Sequence, residues 1–551
     1  MIDQTTRAQV LAWIAQDIDP ETQQRLTALL AASDAGDRAA TDEISDAFAG
    51  PLTFGTAGLR AALGPGPGRM NRVVVSQAAA GFAAWLRQQG QVGTVLVGYD
   101  ARTNSDVFAR DTAEVLAGAG FEPLLCDQNV PTPVVAFGIK HLGCVAGIVV
   151  TASHNPPADN GYKVYLGDGS QIIPPADAEI AALIAEAAAG PVDQLPRGTR
   201  YRMVGQELVD DYCRVAAALV PAEAPRDIAW VYTAMHGVGA RVVEQAVEAA
   251  GFPAAIPVGQ QHDPDPTFPT VAFPNPEEPG AIDLALELAE QTEVDLVVAN
   301  DPDADRCAIA APFPGVGWRM LTGDELGSLL GDDAIRRQVP GRFANSVVSS
   351  TLLGTMARAA GREHVTTLTG FKWIGRVPDL AFGYEEAIGY CCDSAHVPDK
   401  DGITACLAIL RLAAALKAEG RTIGDRLDEI ARTHGVHTTS QLSVRVDDLQ
   451  LIRDAMARLR SNPPATLLGA PVEVRDLTQG SDELPGTDAV ELAGERVHVV
   501  ARPSGTEPKL KCYLEVRVDA ASSGADLKSA REQAAGMLTQ VRDEMARALG
   551  V

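Results

Sequence analysis

The stretch Val145-Ala146-Gly147-Ile148-Val149-Val150-Thr151-Ala152-Ser153-His154-Asn155-Pro156 decides how the chain is read. Its first half spells a short apolar strand. Its second half turns abruptly to hydroxyl, imidazole and amide side chains. Ligands of open α/β sheets gather beyond the carboxyl ends of strands, so such a loop is placed for chemistry.

Outward from this stretch a plan recurs. Thr94 to Tyr99 reads as a strand, followed by a polar turn and an amphipathic helix ending near Ala119-Gly120-Phe121. The plan returns at Ile228 to Tyr232, with a helix ending at Ala250-Gly251-Phe252. It returns again at Ser346-Val347-Val348-Ser349, with a helix ending at Ala360-Gly361. Strand, turn, helix and glycine make a βα unit, so three related α/β domains with mixed sheets are expected. Each has a later strand with an unusual loop behind it. Val145 to Val150 leads to the serine loop, Val294 to Val298 to Asn300 through Arg306, and Leu380 to Tyr384 to Glu385-Glu386-Ala387. Converging, these loops would form one active site in a central cleft.

The ends differ. Thr5 to Asp46 reads as a helical packing hairpin, with Leu11, Trp13, Ile14 and Ile18 on one apolar face and a second stretch after Pro20. Strands at Leu442 to Val446, Val497 to Val500 and Leu510 to Val518, with a closing helix from Asp526 to Leu549, predict a C-terminal α+β domain.

Bulk composition bounds the function. The chain has 551 residues, 46% hydrophobic and 21% charged, which suits several soluble domains. A net charge of -26 argues against nucleic-acid or anionic-membrane surfaces, which need basic patches. The eight cysteines show no C-x-x-C spacing and read as reduced cytosolic thiols. No secretory signal and no apolar run of ~18 residues is present, so a cytoplasmic protein is expected.

Three constellations carry chemistry. Asn300 to Arg306 places Asp301, Asp303 and Asp305 at alternate positions, three hard oxygen ligands suited to magnesium. The alternative is a solvated acidic turn, against which the apolar strand before it and Arg306 after it both weigh. An EF-hand is excluded, because its sixth and twelfth positions would be Arg306 and Pro312. In the serine loop, Ser153 needs activation to act as a nucleophile, and the adjacent His154 alone is weak evidence. Asn160-Gly161-Tyr162-Lys163 returns a lysine towards that loop. Arg502-Pro503-Ser504-Gly505-Thr506-Glu507-Pro508-Lys509 combines a guanidinium, hydroxyls and a glycine between two strands, as a phosphate cradle would. An ordinary hairpin with Arg502 paired to Glu507 is the alternative.

Together these motifs resemble the α-D-phosphohexomutase superfamily of phosphoglucomutases and phosphomannomutases, from about Leu52 to Lys511. Thr151 to Pro156 looks like the family's phosphoserine loop and Asp301 to Arg306 like its metal loop. Glu385-Glu386-Ala387 looks like its sugar loop, and Arg502 to Thr506 like its phosphate-binding loop. Phe54-Gly55-Thr56-Ala57-Gly58-Leu59-Arg60 resembles its N-terminal motif, and His396 to Gly402 the segment after the sugar loop. Many members carry serine where this chain has Ala387. The spelling Gly383 to Tyr390, the Asn275 to Gly280 segment and the helical extension look like the phosphoglucomutase-2 and phosphopentomutase branch.

The resemblance implies a mutase that moves phosphate between a sugar's 1-position and its terminal hydroxyl through a phosphoserine and a bisphosphorylated sugar. Glucose or mannose phosphates are the expected substrates, with a phosphopentomutase as the alternative. It implies Ser153, Lys163, Arg60 and His154 in catalysis, and Ser153 with the three aspartates on one magnesium. Lys372, Glu385, Glu386, His396, Arg502, Ser504, Gly505, Thr506 and Lys511 would bind substrate. A sugar bisphosphate would be the activator, and the protein a monomer or homodimer. The implied domains are 1–220 with the phosphoserine, 221–330 with the metal, 331–440 with the sugar loop and 441–551 with the phosphate cradle. An aspartyl-phosphate phosphatase, with Asp332-Asp333 as its distal acids, would leave Ser153 and Arg502 unused. A non-catalytic sugar-phosphate sensor would be expected to have lost Ser153 or a metal aspartate.

Overall fold

The computed structural model describes residues 2–446, 448–480, 484–504, 509–519 and 527–551. They form two compact units, Met1–Ala310 with Cys391–Ala414, and Ala311–Tyr390 with Ala415–Val551.

The first unit opens with three helices rather than a hairpin of two: Gln4–Gln16, Pro20–Asp34 and Arg38–Ala47. Asp3, Asp19 and Asp37 cap them by accepting backbone N–H bonds that the first turn leaves unpaired. The third helix is poor in large apolar residues and buries only Ala40, Ile44 and Ala47, so its periodicity is faint. On the first helix Val10 and Trp13 face inward while Leu11 is 51% exposed, which moves the apolar face from its expected position. Val10, Trp13, Leu26, Leu30 and Ile44 join one apolar cluster with Val95, Val97, Ile148 and Val150 of the adjoining sheet.

That sheet is mixed and orders its strands as Leu59–Ala62, Asp159–Leu166, Ala146–Val150, Thr94–Tyr99, Glu122–Cys126 and Arg202–Val204. Thr94–Tyr99 runs parallel to Ala146–Val150 and Glu122–Cys126. After the serine loop the chain doubles back antiparallel, which sets Lys163 opposite Val149. Leu59–Ala62 then pairs with the returning strand, Arg60 opposite Gly161. Gly58, just before it, has φ +78°, and a Cβ there would sit 1.7 Å from the Tyr162 carbonyl oxygen. Only glycine admits both the backbone angle and the contact.

A second sheet in this unit holds Trp230–Thr233 parallel to Leu296–Asn300, which turns back antiparallel as Cys307–Phe313. Residues 301–306 are therefore the tip of a tight hairpin. Cys391–Ala414 returns to the same unit, and Gly402 touches this tip. A Cβ on Gly402 would lie 2.2 Å from the Arg306 carbonyl oxygen.

In the second unit Arg342–Ser346 lies between His364–Thr367 and Leu380–Glu385, parallel to both. The strand expected at Ser346 to Ser349 lies earlier, because the chain leaves the sheet at Ser346. Val347 and Val348 instead pack against Val500 and Tyr513. A β-branched pair buried by a neighbouring domain mimics a strand in sequence. The tail forms an antiparallel sheet in the order Val436–Arg445, Lys509–Val518, Val497–Pro503, Val490–Ala493 and Glu473–Asp476. Leu449–Ser461 and Leu527–Leu549 close its apolar face with Leu459, Val541 and Met545. The architecture is three α/β domains and a C-terminal α+β domain. Among the described residues no helix is long and apolar enough to cross a membrane.

Candidate active site

In the first unit the serine loop meets the aspartate hairpin. Ser153 is 1% exposed and has φ +52°, a left-handed conformation that costs a non-glycine residue about 1–2 kcal/mol. Its N–H donates to Thr151 Oγ1 at 2.8 Å, and its hydroxyl donates to Asp301 Oδ2 at 2.8 Å. His154 Nδ1 lies 3.2 Å from the same hydroxyl, so these neighbours do point at each other. Burial, then Arg306 and Arg60, hold the His154 pKa well below the usual histidine range, so its ring is neutral at pH 7.

Asp301, Asp303 and Asp305 are almost fully buried, and one oxygen of each lies within 4.8 Å of the others. Ala304 between them takes φ +54°, which tightens the tip. Asp301 Oδ1 accepts from the Arg306 backbone N–H at 3.0 Å. Asp303 Oδ2 accepts from Lys163 Nζ at 2.6 Å and from Thr132 Oγ1 at 2.6 Å. Asp305 Oδ2 accepts from Lys163 Nζ at 2.9 Å and faces Lys400 Nζ at 3.4 Å. Among the described residues the second oxygens of Asp303 and Asp305 are buried without a hydrogen bond, Arg306 Nε standing 3.8 Å from that of Asp305. A buried acceptor left so costs about 1–3 kcal/mol, which a bound cation would recover. Three hard carboxylates with orphaned oxygens, next to the Ser153 hydroxyl, fit magnesium. Burial and the other two carboxylates raise the Asp301 pKa well above the usual range. At Asp305 burial pushes the same way, but Lys163, Lys400 and Arg306 outweigh it and hold the pKa down. Arg60 faces Asp303, and its Nε is buried without a hydrogen-bond partner among the described residues.

Lys163 is held as an ammonium: burial alone would lower its pKa, and Asp303 and Asp305 raise it beyond the ordinary value. His396 lies in this unit but is exposed and bonded to Asp393 Oδ2 at 2.7 Å, away from the serine and aspartates' hydrogen-bond network. Lys400 and Thr132 were not singled out in sequence. Only the oxygen-rich surroundings of Asp305 and Asp303 give them meaning.

The second unit gathers the other polar group. Glu386 is turned inward, accepting from Ser346 Oγ and Ser349 Oγ at 3.2 Å each, and its N–H donates to Ser349 Oγ at 3.1 Å. Ile388 behind it has φ +54°. Glu385 precedes it at the end of the strand and is 8% exposed. Tyr513 joins the sugar loop to the cradle. Burial raises its pKa well above the usual phenol value; Glu386 and Glu385 raise it further, and Arg502 opposes them. Lys511 Nζ lies 5.9 Å from the Tyr513 ring centroid, and Arg502 pairs across the ladder with Lys511. The Ser504 N–H donates to the Lys509 carbonyl at 2.8 Å, closing the arms of the loop. Gly505 and Thr506 lie outside the described residues. Lys372 is half-buried on the four-residue helix Phe371–Ile374, where Phe371 is core. Asp332 is bound by Arg426 through two bonds of 2.8 and 2.6 Å, and Asp333 faces Arg336 and Arg337, so both serve helix packing.

An α/β scaffold with a buried serine against three aspartates, and a separate carboxylate and arginine group on one tyrosine, is a phosphoryl-transfer enzyme of the sugar phosphomutase class. The chain matches phosphoglucomutase/phosphomannomutase alpha/beta/alpha domain I over residues 51–190, domain II over 210–312, domain III over 322–434 and the C-terminal domain over 443–526. It is 46% identical over 455 residues to a "probable phosphomannomutase" of Haemophilus influenzae, covering 81% of this chain and 93% of that protein. It is 34% identical to the human phosphopentomutase, covering 94% of this chain and 91% of that protein. The solved open form of pp63/parafusin, a phosphoglucomutase from Paramecium, shares the fold with TM-score 0.69 at 18% identity, covering 92% of this chain and 97% of that one. The chain belongs to the phosphoglucomutase/phosphomannomutase family, within the α-D-phosphohexomutase superfamily, and transfers phosphate intramolecularly.

Two tests follow from this geometry. Asp303→Asn removes a charge from the candidate metal cluster and weakens the Lys163 pairing. Manganese binding, read by titration calorimetry, should weaken at least about tenfold; unchanged binding would detach Asp303 from the metal. Asp324, buried in the second unit, accepts from the Ser350 N–H at 2.7 Å and Tyr384 Oη at 3.0 Å. Burial, with Glu386 and Glu515 nearby, raises its pKa to about 7. The folded state therefore keeps a proton that the unfolded chain has lost, so stability falls between about pH 4 and pH 7. Asp324→Asn keeps the acceptor oxygen without the charge. Its melting temperature should exceed the parent's at pH 8, and the gap should shrink at pH 5. A gap independent of pH would remove Asp324 titration as the cause.

Proposed function

We propose that this enzyme interconverts hexose 1-phosphate and hexose 6-phosphate, with glucose or mannose as the sugar and Ser153 as the phosphoryl carrier. One observation carries the reading: the Ser153 hydroxyl, in a left-handed backbone turn, is held 2.8 Å from Asp301 Oδ2 and 3.2 Å from the neutral His154 ring. Strain of this kind persists where the surroundings over-determine it, and it clusters at functional sites.

In this reading phospho-Ser153 gives its phosphoryl group to the free hydroxyl of the sugar phosphate. The bond from phosphorus to the serine oxygen breaks as the bond to the sugar oxygen forms, and the sugar hydroxyl proton ends on the Ser153 oxygen, with His154 beside it as the relay. The bisphosphorylated sugar turns round, and its other phosphate returns to Ser153. A sugar bisphosphate is then also the activator, because it recharges a serine that water has discharged. Asp301, Asp303, Asp305 and the Ser153 side chain would hold magnesium, which offsets charge on the transferring group when bound. Arg60, Lys163, Arg306 and Lys400 gather positive charge in a chain whose net charge is -26, and so offset the phosphates locally. His154 is the neutral proton acceptor beside the serine hydroxyl. Glu385 accepts bonds from sugar hydroxyls, while Arg502 and Lys511 grip the phosphate that is not reacting.

The hexose reading is supported by the 46% identity to the Haemophilus influenzae protein. A pentose reading is favoured by Ala387, which withdraws one hydroxyl from the sugar loop, and by the 94% coverage against the human phosphopentomutase. A panel of glucose, mannose, ribose and deoxyribose 1-phosphates decides. The expected outcome is a kcat/KM for a hexose phosphate at least about tenfold above either pentose, the scale of one or two lost hydroxyl contacts. The reverse order would make it a pentomutase. Ser153→Ala should abolish turnover while leaving the melting temperature nearly unchanged, since it opens almost no cavity. Full activity in that variant would end the phosphoserine reading.

A further inference from the structure

The serine loop is held from beneath by one side chain that no catalytic motif contains. Arg102 follows the strand Thr94–Tyr99, in the turn before the helix Ser105–Gly118. Its side chain is 1% exposed. Nη2 donates to the Ser153 carbonyl at 2.7 Å and to the Asn155 carbonyl at 2.5 Å. Nη1 donates to the Pro156 carbonyl at 2.9 Å and to the Asp159 carbonyl at 3.1 Å. All four terminal N–H groups thus go to backbone oxygens of one loop. Nε faces Asp100 Oδ2 at 3.5 Å, and Asp100 Oδ1 accepts from the Arg102 N–H and from Ser105 Oγ. The flat face lies over the Phe268 ring at 4.9 Å.

We infer that Arg102 is the positioning residue for the phosphoryl carrier: its planar fork gathers four carbonyls and so fixes the left-handed turn that points the Ser153 hydroxyl at Asp301. The inference rests on Ser153 as the carrier. The physics is specific to a guanidinium. Only a planar group with donors at fixed angles satisfies carbonyls at residues 153, 155, 156 and 159 at once. Lysine brings the same charge but three donors on one nitrogen, so at least one carbonyl goes unpaired and the loop gains freedom. Burying the charge is costly and burial lowers the Arg102 pKa, opposed first by Asp100. A buried cation that spends its donors on one loop's backbone pre-organises that loop. Arg102 touches neither substrate nor reacting atoms, so its effect falls on the transfer step and not on sugar binding.

Arg102→Lys in the full-length magnesium enzyme tests this. For folded R102K, kcat should fall about 10- to 100-fold with KM within about twofold, the scale of a nucleophile misplaced by a fraction of an ångström. Single-turnover phosphorylation of Ser153 by glucose 1,6-bisphosphate, followed by intact mass, should slow in parallel. R102K with kcat within about twofold of the parent, or with its whole defect in KM, overturns the inference. If R102K does not fold, Phe268→Leu decides, because it keeps the fork but takes away the ring that holds its plane. A fall of at least about threefold in kcat at constant KM supports the inference, and an unchanged kcat overturns it. Intact mass and Ser153→Ala keep the two readings apart. A parent that never carries phosphate on Ser153 sinks the carrier reading itself, whereas a phosphorylated parent with a fully active R102K sinks only the role of Arg102.

Discussion

Three carboxylates share one buried hairpin tip, and much of the first unit is arranged around their mutual repulsion. Like charges within a few ångströms in a poorly solvated site do not ionise together without help. Lys163 supplies that help from the strand that returns after the serine loop, and Lys400 from a segment far along the chain. Thr132 and the backbone of Arg306 contribute neutral donors. Among the described residues two oxygens still lack a hydrogen-bond donor. With Arg306 and Arg60 also close by, the tip's charge is met by cations, while lone pairs on two carboxylate oxygens stay without a hydrogen bond where a hard cation would bind.

Positive φ angles occur at several non-glycine residues, Gln338, Asp379 and Leu468 among them, and they also mark the chemistry. Ser153, Ala304 and Ile388 each take a positive φ without being glycine, and each lies in one of the three loops expected to act. Such conformations persist only where neighbours fix them. At Ser153 the neighbours are Thr151, Asp301 and the Arg102 fork. At Ala304 the N–H donates to the Asp301 carbonyl at 2.8 Å, and the carbonyl accepts from Gly402. At the sugar loop, Ser346 and Ser349 anchor Glu386 from the neighbouring strand and turn. Each loop is therefore held by residues outside its own motif.

Those holders explain what was legible in the sequence. The aspartates and the serine loop could be read because strand-end loops concentrate their chemistry in a few consecutive residues. The pairing of Ser153 with His154 could not, since whether adjacent side chains meet depends on the backbone turn between them, here left-handed at Ser153. Lys400 and Arg102 were opaque for another reason. A lone lysine or arginine has no periodicity, and its partners lie roughly 95 and 50 residues away. Val347 and Val348 misled in the opposite sense, their β-branched spelling being used for packing against Val500 and Tyr513. The third N-terminal helix was hidden by its small side chains.

The docking of Cys391–Ala414 onto the first unit has a consequence for how the protein is made. When Arg306 leaves the ribosome, the hairpin tip still lacks both Lys400 and the close approach of Gly402. Translation at about 5–20 residues per second needs roughly 5–20 seconds to deliver them. Through that interval the nascent first unit carries aspartates short of one cation and a hairpin without its lid of backbone. The sheet of the second unit, from Arg342 to Glu385, is synthesised in between. The first unit is thus discontinuous in time as well as in sequence, and its acidic tip is among the last parts of it to be completed.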